Sequence, residues 1–272
     1  MSKTIYQLCM ERKDKLLSMV YPRRCPVCDE ILNPEEGKIH SHCQSKLYYV
    51  SGPSCMRCGR SIENASYELC YHCKTYFDSF QIKYSREQIR SISPYIRKIK
   101  EPQLLDFHGK AIFLYKGAIK KSLYRFKYAN KREYAQFFAK EAVRLYGTWL
   151  WQNKIELIVP VPMYGKKKRK RGYNQAESFA KELSILTGIP MDTKWIERVR
   201  DTVPQKTLNK EERKNNLKNA FQTRKSIVQY RERILIVDDI YTTGSTMEEV
   251  TGCLKEAGVE NVFILNVAIG TQ

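Results

Sequence analysis

Two carboxylates and a run of hydroxyls stand together near the C-terminus, in Ile234-Leu235-Ile236-Val237-Asp238-Asp239-Ile240-Tyr241-Thr242-Thr243-Gly244-Ser245-Thr246. The apolar residues Ile234 to Val237 predict a buried parallel strand that ends at the acid pair. Thr242 to Thr246 predict a small loop around Gly244, and Met247 to Ala257 a helix. The loop's backbone N–H groups and the positive end of the helix dipole favour a phosphate. Gly244 lets the backbone approach it with no Cβ in the way. Asp238 and Asp239 suit ribose hydroxyls, a magnesium ion or a developing positive charge. Together these features describe a site for a phosphorylated sugar; an ordinary βα turn with a capping Thr or Ser is the competing reading.

A second chemistry lies near the N-terminus, where seven of the nine cysteines fall between Cys25 and Cys73. Cys25 and Cys28 are followed by His40 and Cys43, and Cys55 and Cys58 by Cys70 and Cys73. A shift of thirty residues superposes the two units and sets His40 on Cys70, which selects His40 rather than His42 as the fourth ligand. Each Cys-x-x-Cys turn presents two thiolates to one metal, and a second turn completes a tetrahedron. Closed sites of this kind predict structural zinc, one or two ions, rather than catalytic zinc. Disulfides are the alternative use and do not suit a reducing cytoplasm. Cys9 and Cys253 lie outside the repeat and read as small apolar residues.

Elements must hold these residues in place. Apolar Ile5, Leu8, Leu16 and Val20 allow a short N-terminal helix, and residues 1–80 form that helix and the tandem zinc-ribbon module. Residues 81–106 read as a linker, basic and weakly helical from Ser85 to Lys100. Residues 107–272 alternate strands with helices: a strand at Ile112–Tyr115, helices at Gly117–Lys127 and Lys131–Tyr146, and a strand from Ile155 into Pro162. A helix capped by Asn174 runs to Thr187, and further strands are expected at Trp195–Val199 and Asn261–Ile269. This order predicts an α/β fold with an open parallel sheet and its ligand at the strands' C-terminal ends.

Two further loops can reach that ligand. After Pro162 come six consecutive basic residues, Lys166 to Arg171, then Gly172-Tyr173-Asn174-Gln175-Ala176. Their place beside a strand end suits a phosphate or pyrophosphate. The polar stretch holding Arg200, Gln205, Lys206, Arg213 and Asn216 reads as a mobile lid over a charged ligand.

The chain has 272 residues, a 42% apolar fraction and a net charge of +19. That is enough apolar residue for a packed core, and no stretch approaches a membrane-spanning length. The N-terminus lacks the uninterrupted apolar region of a secretory signal, so a cytoplasmic location is expected. The positive surplus favours polyanions, nucleic acid above all.

The Asp238–Thr246 segment resembles the loop of type I phosphoribosyltransferases that binds phosphoribosyl pyrophosphate (PRPP). In that family the acidic pair contacts the ribose and the loop holds the 5′-phosphate. From about Cys25 onward, the chain resembles the ComF/ComFC family. The resemblance rests on the zinc units, Val159-Pro160-Val161-Pro162, Arg171 to Glu177, Gln205 through Arg213 and Asn216, and the Asp238 loop. It implies a phosphoribosyltransferase-like domain preceded by a small zinc-ribbon module, acting in natural competence. The implied work is handling single-stranded DNA at the inner face of the membrane, alongside a competence helicase. His40 departs from the family, whose members usually have Cys there.

If transfer is catalysed, Asp238 and Asp239 would stabilise an oxocarbenium-like ribose. Thr242, Thr243, Gly244, Ser245 and Thr246 would hold the 5′-phosphate. Arg171, Lys206 and Arg213 would stabilise departing pyrophosphate, with Mg2+ bridging PRPP oxygens. The final strand is followed only by Gly270-Thr271-Gln272, where a base-recognition loop would otherwise be expected. PRPP binding without transfer is therefore the preferred expectation, and an active phosphoribosyltransferase with an unidentified acceptor the alternative.

Overall fold

The computed structural model describes residues 22–33, 35–83, 107–201, 219–223 and 233–270. The expected N-terminal helix, most of the expected linker, and the lid residues Gln205, Lys206, Arg213 and Asn216 lie outside them.

Strands β1 (His108–Leu114), β2 (Leu157–Pro160), β5 (Arg233–Tyr241) and β6 (Asn261–Ile269) form a parallel sheet in the order β1-β6-β5-β2. Short strands β3 (Ile196–Arg198) and β4 (Phe221–Thr223) pair antiparallel beside it. Both faces of the sheet are covered, so its strands are nearly continuous apolar runs. Leu235 and Val237 join one core with Phe263 and Leu265, while Ile234 and Ile236 join the other with Val262 and Ile264. Helices α2 (Gly117–Tyr128), α3 (Tyr134–Gln152) and α5 (Gln175–Thr187) supply the first core. Helix α6 (Ser245–Glu256) and the β3–β4 pair supply the second. Asn174 caps α5 as its residue type predicts, its Oδ1 accepting the Ala176 N–H at 3.2 Å.

The two cysteine units straddle the β1 edge, the first joining the core of α2 and α3 and the second that of α6. Between them Tyr49 bridges antiparallel to Phe113, with Val50 N–H donating to Ile112 O and Leu114 N–H to Tyr48 O. The joining segment thus covers an edge that would otherwise be open to pairing. Helix α1 (Tyr71–Lys83) leaves the second unit from its last cysteine turn.

The thirty-residue repeat is visible in the backbone. Bridges Arg24–Ile31 and Ser54–Ser61 correspond, as do the turns Asp29 N–H to Cys25 O and Gly59 N–H to Cys55 O. The corresponding residues Asp29 and Gly59 both take the left-handed conformation, at φ 68° and 75°. They are held differently. Asp29 accepts from the Tyr134 hydroxyl and lies 3.7 Å from Arg125 and 3.8 Å from Lys131. Gly59 lies against the β1 backbone, where a Cβ would come within 2.7 Å of Lys110 Cα.

Sequence expectations change at β5 and at the basic run. Strand β5 does not end at Asp238 but continues to Tyr241, because β6 pairs with it as far as Ile269 and Gly270 N–H donates to Tyr241 O. Residues Lys166 to Arg171 are not a loop but lie in a short helix, α4 (Gly165–Arg171), closed by Gly172 at φ 84°. Lys and Arg have good intrinsic helix propensity, and a left-handed glycine supplies the stop.

Candidate functional site

Pairing of β5 with β2 stops at Val237–Pro160, one residue before the acids, while pairing with β6 runs on. That mismatch leaves the two carboxylates beside a gap at the C-terminal end of the sheet, where α/β ligands sit. Asp238 Oδ1 accepts the Asp239 N–H at 2.8 Å. Burial, and then the charge of Asp239, push the Asp238 carboxyl up to about 7. Asp239 is buried and its Oδ2 lies 2.8 Å from Lys127 Nζ. Burial alone would depress the Lys127 ammonium, but Asp239 beside it holds it above its ordinary value.

Lys127 is a functional candidate that sequence reading missed. It sits near the C-terminus of α2, far from the acid pair in sequence, in a helix whose other basic residues hide it. Arg198 on β3 was missed as well, because only the fold brings it toward Asp238. Its guanidinium is pushed down by burial and drawn back by Asp238 and Asp201.

Asp238, Thr242, Gly244, Ser245 and Thr246 line one small concavity with Ile240, Tyr241 and Met247. Thr243 does not line it, but its Oγ1 lies 3.1 Å from Ser245 Oγ. Helix α6 begins at Ser245, two residues before the expected Met247, so Ser245 and Thr246 belong to its first turn. The first helical bond is Glu248 N–H to Gly244 O, and the amides before it have no partner within the helix. Gly244 is left-handed at φ 91°, and a Cβ there would fall 2.3 Å from the Tyr241 hydroxyl. That hydroxyl is buried with no hydrogen-bond partner among the described residues. Asn266, the register partner of Asp238, is fully buried with both amide atoms in the same condition.

The segment after α4 ties the basic helix to the site. Tyr173 hydroxyl donates to Phe126 O, Asn174 Nδ2 to Val161 O at 2.9 Å, and Arg132 to Gly172 O at 2.9 Å. Arg171 donates to Gln175 Oε1 at 2.6 Å and lies 5.0 Å from the Tyr128 ring, beside Lys127 in sequence. Lys167 and Lys168 pair with Asp201 and Glu177, at 2.8 and 2.6 Å, while Lys166, Arg169 and Lys170 are exposed. A cleft of about 240 Å³ lies alongside, lined by Pro160, Pro162, Lys168, Asn174 and Arg198 among others.

The ligand atoms of Cys25, Cys28, His40 and Cys43 lie within 4.8 Å of one another, as do those of Cys55, Cys58, Cys70 and Cys73. His40 Nδ1 is 3.3 Å from Cys28 Sγ, and Nε2 is 3.1 Å from Ile31 O. One ring nitrogen thus faces the thiols while a backbone carbonyl orients the other, the arrangement of a ligating histidine. His42 is exposed and stacks on His40, and with Glu30 it makes a third group of donors around Cys28 and His40, outside the two cysteine-rich sets. Both donor sets fit structural zinc, which when bound closes each unit and contributes to its folding.

Comparison with known proteins agrees with this division. Residues 16–74 match the double zinc ribbon domain and residues 169–269 the phosphoribosyl transferase domain. DNA utilization protein YhgH of Salmonella typhi is 37% identical over 107 residues, 39% of this chain and 46% of that protein. Competence protein ComFC of Bacillus subtilis is 25% identical, covering 84% of this chain and 82% of that protein. Competence protein F of Haemophilus influenzae is 30% identical over 239 residues, 84% of this chain and 95% of that protein. With that identity over nearly the whole relative, and both domain models in the same order, the chain belongs to the competence protein F (ComF) family.

Proposed function

We propose that this protein binds PRPP through Asp238, Asp239 and the Thr242–Thr246 loop, and acts on incoming single-stranded DNA in natural transformation. The observation that carries the ligand is that Asp238 opens with Thr242, Ser245 and Thr246 onto one concavity at a helix N-terminus, with Asp239 next to it in the strand. A 5′-phosphate would take the amides before Glu248, and the ribose hydroxyls the carboxylates. Lys127 pairs with Asp239, while Asp238 stands at the concavity to meet a hydroxyl or a Mg2+ held by PRPP. Arg171 is the candidate for pyrophosphate, joined on the family resemblance by Lys206 and Arg213, which lie outside the described residues. The competence role draws on the names of the relatives and on the net charge of +19. A competence helicase as partner, and a position at the inner face of the membrane, rest on the family resemblance. Among the described residues no helix is long and apolar enough to cross a membrane.

The test is a calorimetric PRPP titration in Mg2+, with and without oligothymidine, on the wild type and on Asp238→Ala/Asp239→Ala. Saturable binding lost in the double variant is expected. Equal heats from both proteins would remove the ligand assignment, and wild-type protein indifferent to oligothymidine would remove the DNA role. An active phosphoribosyltransferase is the second reading, favoured by the basic groups Lys127 and Arg198 around the acid pair. Release of pyrophosphate in the presence of a base, amine or DNA end would establish it.

A further inference from the structure

Helix α2 carries Lys120, Lys121, Arg125 and Lys127 and no carboxylate, and α4 is likewise without acid. On the outer face of α2, Lys120, Tyr124 and Tyr128 recur at a spacing of four residues, which stacks them along one line. Tyr124 and Tyr128 are 60% and 54% exposed, and their rings tilt together with centroids 5.0 Å apart. Arg171 lies 5.0 Å from the Tyr128 centroid, so the line continues into the basic helix α4. From Lys120 to Tyr128 the line spans about 12 Å at the rise of an α-helix. Its far end adjoins Lys127 and thus the acid pair.

We propose that this stripe is the track on which a single-stranded nucleic acid lies, its bases stacking on Tyr124 and Tyr128. Its phosphates would meet Lys120, Lys121 and the α4 side chains. The inference deepens the DNA reading above and rests on it. Exposed aromatic rings between cations, on elements with no acidic residue, match what sequence-tolerant single-strand binding requires. A duplex offers no unstacked bases to the rings. The track also gives direction, because its Tyr128 end lies next to Lys127, which pairs with Asp239.

The experiment is fluorescence anisotropy with fluorescein-labelled oligothymidine on the full chain, over a range of salt. Tyr124→Ala/Tyr128→Ala is expected to weaken binding about tenfold or more, as loss of two stacking platforms would. Tyr124→Phe/Tyr128→Phe keeps the rings and is expected to stay within about twofold. Lys120→Glu/Lys121→Glu is expected to weaken binding and to flatten its salt dependence. Because all four side chains are exposed, melting curves close to wild type are expected for each variant. Wild-type binding that survives both the Ala and the Glu variants overturns the track and leaves the DNA reading standing. Wild type that ignores oligothymidine overturns both, as does preference for duplex DNA or for vesicles of anionic lipid.

Discussion

The Arg57 guanidinium lies 3.2 Å from the Glu248 carboxylate, joining the second cysteine knuckle to the first turn of the helix behind the Thr242–Gly244 loop. Arg57 is 1% exposed and is held between the rings of Tyr76 and Phe107, at 4.4 and 4.5 Å. The metal unit therefore braces the helix whose N-terminus forms the concavity. Replacing Arg57 by Met should cost on the order of 2–3 kcal/mol, because Glu248 is left partly buried beside an apolar group. It should also weaken ribose-phosphate binding without touching it. Urea melts and a PRPP titration check the two effects; loss of stability with full affinity would show that the brace does not reach the loop.

Asp238 makes stability depend on pH in a stated direction. Its folded carboxyl is raised to about 7 from an ordinary 3.8, so between those values the folded chain holds more protons than the unfolded one. Its contribution is fully present below pH 3.8 and is lost as pH rises through about 7. Asp238→Asn keeps the acceptor for the Asp239 N–H and removes the buried charge. It should raise stability at pH 8 by about 1–3 kcal/mol, discounted for the carboxylate's partial exposure, and change little at pH 4. Thermal melts at both pH values decide it.

Gly244 and Tyr241 exclude a side chain at the loop. Gly244→Ala should cost at least about 1–2 kcal/mol from the left-handed backbone alone, with the clash against Tyr241 added. Tyr241→Phe should be neutral or stabilising within about 1 kcal/mol, since it removes a buried hydroxyl that lacks a partner. The double variant should recover only the part of the loss due to the hydroxyl. Denaturant unfolding of the three proteins measures this.

Metal content separates the two histidines. Zinc released by denaturation should fall by about half in His40→Ala, remain unchanged in His42→Ala, and be restored in His40→Cys. Unchanged metal in His40→Ala would transfer the fourth ligand to another group.

Much of this architecture was legible in the sequence because it is written in local pattern. Val237 and its apolar neighbours announce a buried strand, and the spacing of Cys25 through Cys73 sets both ligand groups, including the choice of His40. Asn174 reads as a cap and is one. Long-range partners were not legible. Lys127 is one lysine among four basic residues of α2, and only the packing of that helix on the sheet brings it to Asp239. Arg57 looks like a spacer between two ligands until the fold buries it. The end of β5 was misplaced because carboxylates ordinarily signal an exit from a strand, whereas continued pairing with β6 holds these two within it.

The left-handed turns at Asp29 and Gly59 set the two repeated units apart. One copy turned this position into an adhesive, using a carboxylate to grip Tyr134, Arg125 and Lys131. The other turned it into a bare surface, letting a strand pass where any side chain would intrude. The two halves share one backbone turn and are handed components, each cut to its own side of the sheet. Exchanging them would preserve every metal ligand type but one, yet press a side chain into the β1 backbone and strip Tyr134, Arg125 and Lys131 of their carboxylate.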